Sequence, residues 1–149
     1  MLLNDFIKKF SIDREKTNKG NALGNIPHGS EALIISKISE YIKKDILFIC
    51  ENKKKYNQIK DLLNFLEIKN VYFFPEYDTN TYDRISPNKN ITSERVKTLI
   101  ELKFSQENRI ILTTAKASSQ FIAEKKSNYY KNINLKIGNE YDLTEIKSF

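Results

Sequence analysis

The sequence predicts an α/β fold: a parallel sheet with helices on both faces, followed by the first elements of a second α+β module. Two observations carry this. Three short apolar runs, Ile46 to Cys50, Val71 to Phe74 and Ile110 to Thr113, alternate with segments whose apolar residues recur at helical spacing. Such alternation indicates parallel βαβ units with right-handed crossovers. The pattern then changes after residue 125, where Ile133, Leu135 and Ile137 alternate strictly with polar residues, as in a strand buried on one face.

Taken in order, Leu2 to Phe10 can form a short amphipathic helix with Leu3, Phe6, Ile7 and Phe10 on one side. Ser11 to His28 is rich in Lys, Asn and Gly and reads as a connector. Ser30 is placed to cap a helix carrying Ile34, Ile35, Ile38, Tyr41 and Ile42. Ile46 to Cys50 is continuously apolar, as expected of a strand covered on both faces. Asn52 caps the next predicted helix, with Tyr56, Ile59, Leu62, Leu63 and Leu66 inward. After the second strand, Thr92 or Ser93 starts a helix with Val96, Leu99, Ile100 and Phe104 inward. Thr114 caps a short helix through Phe121. Gly138 and Asn139 make a turn, and Thr144 to Phe149 begins a helix that stops. Three regions follow: a helix and linker over 1–22, an α/β domain over 23–127, and the incomplete start of a second domain over 128–149. This suggests the front piece of a longer protein.

Composition narrows the chemistry. The 149 residues suffice for one domain, and 30% of them are charged. No run of about 18 apolar residues exists to span a membrane, and the N-terminus lacks the basic-then-apolar pattern of a secretory signal. One cysteine, Cys50, and one histidine, His28, are too few for a zinc site, and the lone thiol favours a reduced, cytoplasmic protein. Cys50 sits mid-strand as core volume, and His28 sits in a turn. The net charge of +6 is compatible with nucleic-acid contact, and Lys53, Lys54 and Lys55 are the candidate phosphate contacts. A solvated lysine face accounts for the same charge.

A nucleotide loop would precede the first long helix. Gly29 and Ser30 are small enough for backbone amides to approach a phosphate, but Glu31, Ala32 and Leu33 stand where a Gly-Lys-[Ser/Thr] ending is required. Glu31 would repel a phosphate. The loop has the position of a nucleotide site without its chemistry.

The segment from Phe74 to Pro87 is the most distinctive. An apolar strand ends and presents Pro75, Tyr77, Asp78, Tyr82, Asp83 and Ser86 at a sheet end, where ligand sites of open α/β sheets lie. Asp78 and Asp83 could act as paired carboxylates, or bond nearby amides as turn residues, the favoured reading. Arg95 is expected to pair with one of them, or else to contact a phosphate. No nucleophile–base pair stands beside them.

This segment resembles the N-terminal module of the bacterial transcription-repair coupling factor (Mfd). That family has Phe-Pro, an aromatic or acidic pair, Thr-x-Pro-Tyr-Asp, Ser-Pro, then Arg and Leu on the next helix. Phe74-Pro75, Tyr77-Asp78, Thr79, Tyr82-Asp83, Ser86-Pro87, Arg95 and Leu99 stand in those places, with Thr81 where the family usually has proline. Flanking segments are similar too, so the resemblance covers nearly all of residues 23 to 149. It implies a first domain similar to the helicase-like first domain of the excision-repair protein UvrB, P-loop-like but without ATP binding. It also lacks UvrB's DNA-gripping hairpin: about seventeen residues separate Phe74 from Thr92, too few for one. The second domain, beginning near residue 132, would recruit UvrA. ATP, magnesium, DNA and RNA polymerase would be engaged by motor regions far downstream, leaving this chain non-catalytic. The alternatives are one lobe of an active ATP-dependent DNA translocase, or a basic DNA-binding module.

Overall fold

The computed structural model describes residues 25–27, 29–80, 83–105, 108–122, 137–142 and 144. Predictions for the helix over 2–10, nearly all of the strand over 132–137 and of the helix over 144–149, the boundary near 125–131, His28 and Tyr82 lie outside the described residues. The element order is α1 (Ser30–Ile42), β1 (Ile46–Cys50), α2 (Lys53–Phe65), β2 (Val71–Phe74), α3 (Lys89–Phe104), β3 (Ile110–Thr114) and α4 (Ala115–Ser118).

The three strands form one parallel sheet in the order β1-β3-β2. Ile110 of β3 pairs with Ile46 on one side and Val71 on the other, so Phe48, Leu112 and Phe73 share a level and a face. The chain therefore passes from β1 beyond β3 to β2, then turns back. With one crossover handedness, that reversal puts α2 and α3 on opposite faces. Packing agrees. Tyr56, Ile59 and Leu63 of α2 join Ala32 and Ile35 of α1 over Cys50, Ile110 and Leu112. On the other face, Arg95 of α3 stacks on Phe74, and Thr98 Oγ1 donates to the Phe73 carbonyl at 2.6 Å. The central position of β3 explains why Ile110, Leu112, Thr113 and Thr114 are all buried. Polar side chains there need partners. Thr113 donates to the Phe74 carbonyl at 2.9 Å, and Thr114 donates to Glu76 Oε2 at 2.7 Å.

At the other end of the sheet Arg109, just before β3, binds Asp45, just before β1. Its amide and its Nε reach the carboxylate at 3.0 and 3.1 Å. This clamp holds the Asp45 pKa below the usual aspartate value, mainly through the Arg109 hydrogen bonds.

Several local expectations hold. Asn52 Oδ1 accepts from the Lys55 amide at 2.9 Å, and Thr114 Oγ1 accepts from the Ala117 amide at 3.0 Å, so both are side-chain caps. Others are corrected. Ser30 is the first residue of α1 rather than its cap. Gly29 takes the cap position at φ 90°, a left-handed conformation that a Cβ would strain. The third helix starts at Lys89, and Asn88 caps it by accepting from the Asn90 amide at 2.9 Å. Thr92 and Ser93, the expected starts, lie inside the helix. The last helix ends at Ser118, well short of Phe121. Tyr41 and Phe104 are exposed rather than inward. Finally, β1 is an edge strand among the described residues. Its Ile46, Phe48 and Cys50 face the core, whereas Leu47 and Ile49 remain 58% and 48% exposed because α3 packs over β2 instead.

Candidate functional site

The predicted nucleotide loop is folded around its own acid. Glu31 lies in the first turn of α1, and its Oε2 accepts the Gly29 amide at 2.9 Å. Its Oε1 is paired with Lys55 of α2. A helix N-terminus with a nearby ammonium is a ready anion site. Here the side chain of Glu31 fills that role internally. Burial pushes the Glu31 pKa up, but the hydrogen bonds from Lys55 and the Gly29 amide outweigh it and hold the carboxyl below its ordinary value. Ala32, next in the chain, is fully buried under α2 and has no hydroxyl for a metal. Lys55 is therefore committed, while Lys53 and Lys54, the other candidate phosphate contacts, are exposed. Lys55 lies 24 residues from Glu31, and no local pattern marks the pair.

A group with a depressed folded pKa adds stability above its unfolded pKa, and that stability is lost as pH falls through the folded value. Glu31→Gln should therefore destabilise the protein near neutral pH, by about 1 kcal/mol for a half-buried pair. The deficit should shrink as pH drops below the ordinary glutamate value of 4.5. Urea denaturation of both proteins at neutral pH and in acid checks this; a pH-independent difference would contradict the pairing.

The segment after β2 is a second, differently built site. Phe74 is buried, and Arg95 is only 2% exposed although it carries a full charge. Its guanidinium lies 4.0 Å from the Phe74 ring centre and 4.1 Å from that of Tyr77. Nη1 donates to the Pro75 carbonyl at 2.7 Å and to Gln120 Oε1 at 3.1 Å. The same Gln120 oxygen accepts the Tyr77 amide at 3.1 Å. Burial lowers the Arg95 pKa, and the Tyr77 side chain offsets part of this.

This corrects the expected ion pair between Arg95 and Asp78 or Asp83. Asp78 Oδ1 accepts the Asn88 amide at 3.1 Å, and Asp83 Oδ2 accepts the Asn80 amide at 2.7 Å. Both acids are exposed loop-shaping residues, and the buried cation is held by aromatic faces and neutral oxygens. Gln120, 25 residues beyond Arg95, was not legible as its partner. Ser86 and Pro87 line a cleft of about 600 Å³ in front of this cluster.

Cys50 is buried, and burial pushes its thiol up to about 11, so it is a neutral core residue at physiological pH. Among the described residues no group of three or more His, Cys, Asp or Glu side chains could hold a metal, and no helix is long and apolar enough to cross a membrane.

Comparison with known proteins places this scaffold. Over 74 residues, 49% of this chain, it is 40% identical to the transcription-repair-coupling factor of Rickettsia bellii. The chain is similar to the transcription-repair-coupling factors. The Rickettsia prowazekii coupling factor is 34% identical over 83 residues, 55% of the chain. That of Haemophilus influenzae is 30% identical over 95 residues, 64% of the chain. These matches span only 7% to 8% of the coupling factors' own length. No family model matches the chain, and no solved structure matches it.

Proposed function

We propose that this chain is a non-catalytic module of a transcription-repair coupling factor: a retired helicase-like nucleotide fold that supports a UvrA-docking domain beginning near residue 132. On this reading it works in transcription-coupled nucleotide excision repair in the cytoplasm. DNA, RNA polymerase, ATP and magnesium would be engaged by other parts of the same machine. Similarity to the coupling factors supports the repair context. The observation that carries the non-catalytic part is the Glu31 carboxylate on the Gly29 amide, with Lys55 bound to it. A phosphate entering there would meet a negative charge at the amide it needs and a lysine already neutralised. Ala32 offers no oxygen to magnesium.

Calorimetric titration of magnesium-ATP into the chain is expected to give no binding heat. Tight, magnesium-dependent binding would instead favour one lobe of an active translocase and sink the proposal.

A further inference from the structure

We propose that the cleft at the carboxyl end of β2 and β3 is a docking site for an acidic protein segment that carries an apolar side chain beside its carboxylates. The cleft, of about 600 Å³, lies between the loop after β2 and the residues around α4. Its rear wall is built, not merely enclosed. Tyr77 and Gln120 both line it, and both are tied to Arg95 behind them. A partner would therefore meet a surface already held in place, which lowers the ordering cost of binding.

Charge selects the partner's sign. Arg84 and Lys116 line the cleft and are exposed. Neither takes part in any of the ion pairs found among the described residues. Asp83 is the one acid lining the cleft, and its carboxylate already accepts the Asn80 amide. The buried Arg95 adds positive charge behind the wall. The local field therefore favours carboxylates from outside.

Apolar surface selects the partner's class. Ile85 and Phe121 also line the cleft and are 74% and 93% exposed. Two large apolar side chains set among polar groups mark a protein contact. Nucleic acid binds through a run of cations along its backbone, whereas this cleft is lined by two cations and an acid. Carboxylates at Arg84 and Lys116, with an apolar anchor against Ile85 and Phe121, would satisfy both features at once. This inference does not rest on the coupling-factor reading.

The test is selection of random short peptides against the whole chain. Bound peptides should be enriched in Asp or Glu beside Leu, Ile or Phe. Binding of the best one, followed by fluorescence anisotropy, should weaken by about tenfold or more in the R84E/K116E double variant and in Phe121→Ser. The altered side chains are exposed, so melting temperatures should stay unchanged; if the double variant misfolds, Lys116→Gln alone should still weaken binding. The proposal is overturned by the absence of enrichment, or by peptides that bind wild type and variants equally. It is also overturned if a single-stranded DNA oligonucleotide binds the cleft more tightly than the peptides and is lost in the same variants.

Discussion

Replacing Arg95 with alanine is expected to destabilise the protein by about 3 kcal/mol, the sum of lost charge-assisted hydrogen bonds, lost stacking and a new cavity. The guanidinium joins three pieces of chain: α3, the exit of β2 through Pro75 and Tyr77, and the segment after α4 through Gln120. Its removal orphans the Pro75 carbonyl and leaves a gap between two aromatic rings. Arg95→Lys should recover only part of the loss. An ammonium is compact and cannot lie flat between rings while reaching both oxygens. Urea denaturation measures the loss, and a cycle with Gln120→Ala should show coupling of about 1 kcal/mol. A loss below about 0.5 kcal/mol, ordinary for a surface site, would mean the cluster is not structural.

Leu112→Ala should cost about 3 to 4 kcal/mol, the range for a fully buried leucine in a site that cannot collapse. Leu112 has no exposed surface, lies on the central strand, and belongs to the cluster of α1, α2 and β1. Against a total stability of roughly 5 to 15 kcal/mol, this one change approaches unfolding. Ile49→Ala is the internal control. Ile49 also sits in the sheet but points outward on edge strand β1, so its loss should stay below about 1 kcal/mol. Equal losses at the two positions would mean that the outer face of β1 is covered in solution. Thermal melting of both variants decides between these outcomes.

What was legible and what was not divides by distance along the chain. The three strands were legible because each is a short apolar run bounded by polar or turn residues. The caps Asn52 and Thr114 were legible because their hydrogen bonds close within three residues. The inward face of α2 was legible because Tyr56, Ile59 and Leu63 repeat at helical spacing. The partners of Arg95 are the Pro75 carbonyl and Gln120, not the acids the sequence suggests. Asp78 and Asp83 instead each accept a backbone amide. Lys55 looked like one of three equivalent lysines until the fold set it against Glu31. The continuous apolar character of β1 suggested burial on both faces, and its edge position left one face open.

The sequence by itself determined the α/β class, the strand positions, and the resemblance carried by Phe74 to Leu99. These depend on residue type and short spacing, which local physics reads directly. Only the tertiary structure decided the strand order β1-β3-β2, the Glu31–Lys55 pair, and the Arg95 cluster with its adjoining cleft. Those features join residues about twenty or more positions apart, and such contacts exist only once packing has chosen which elements become neighbours.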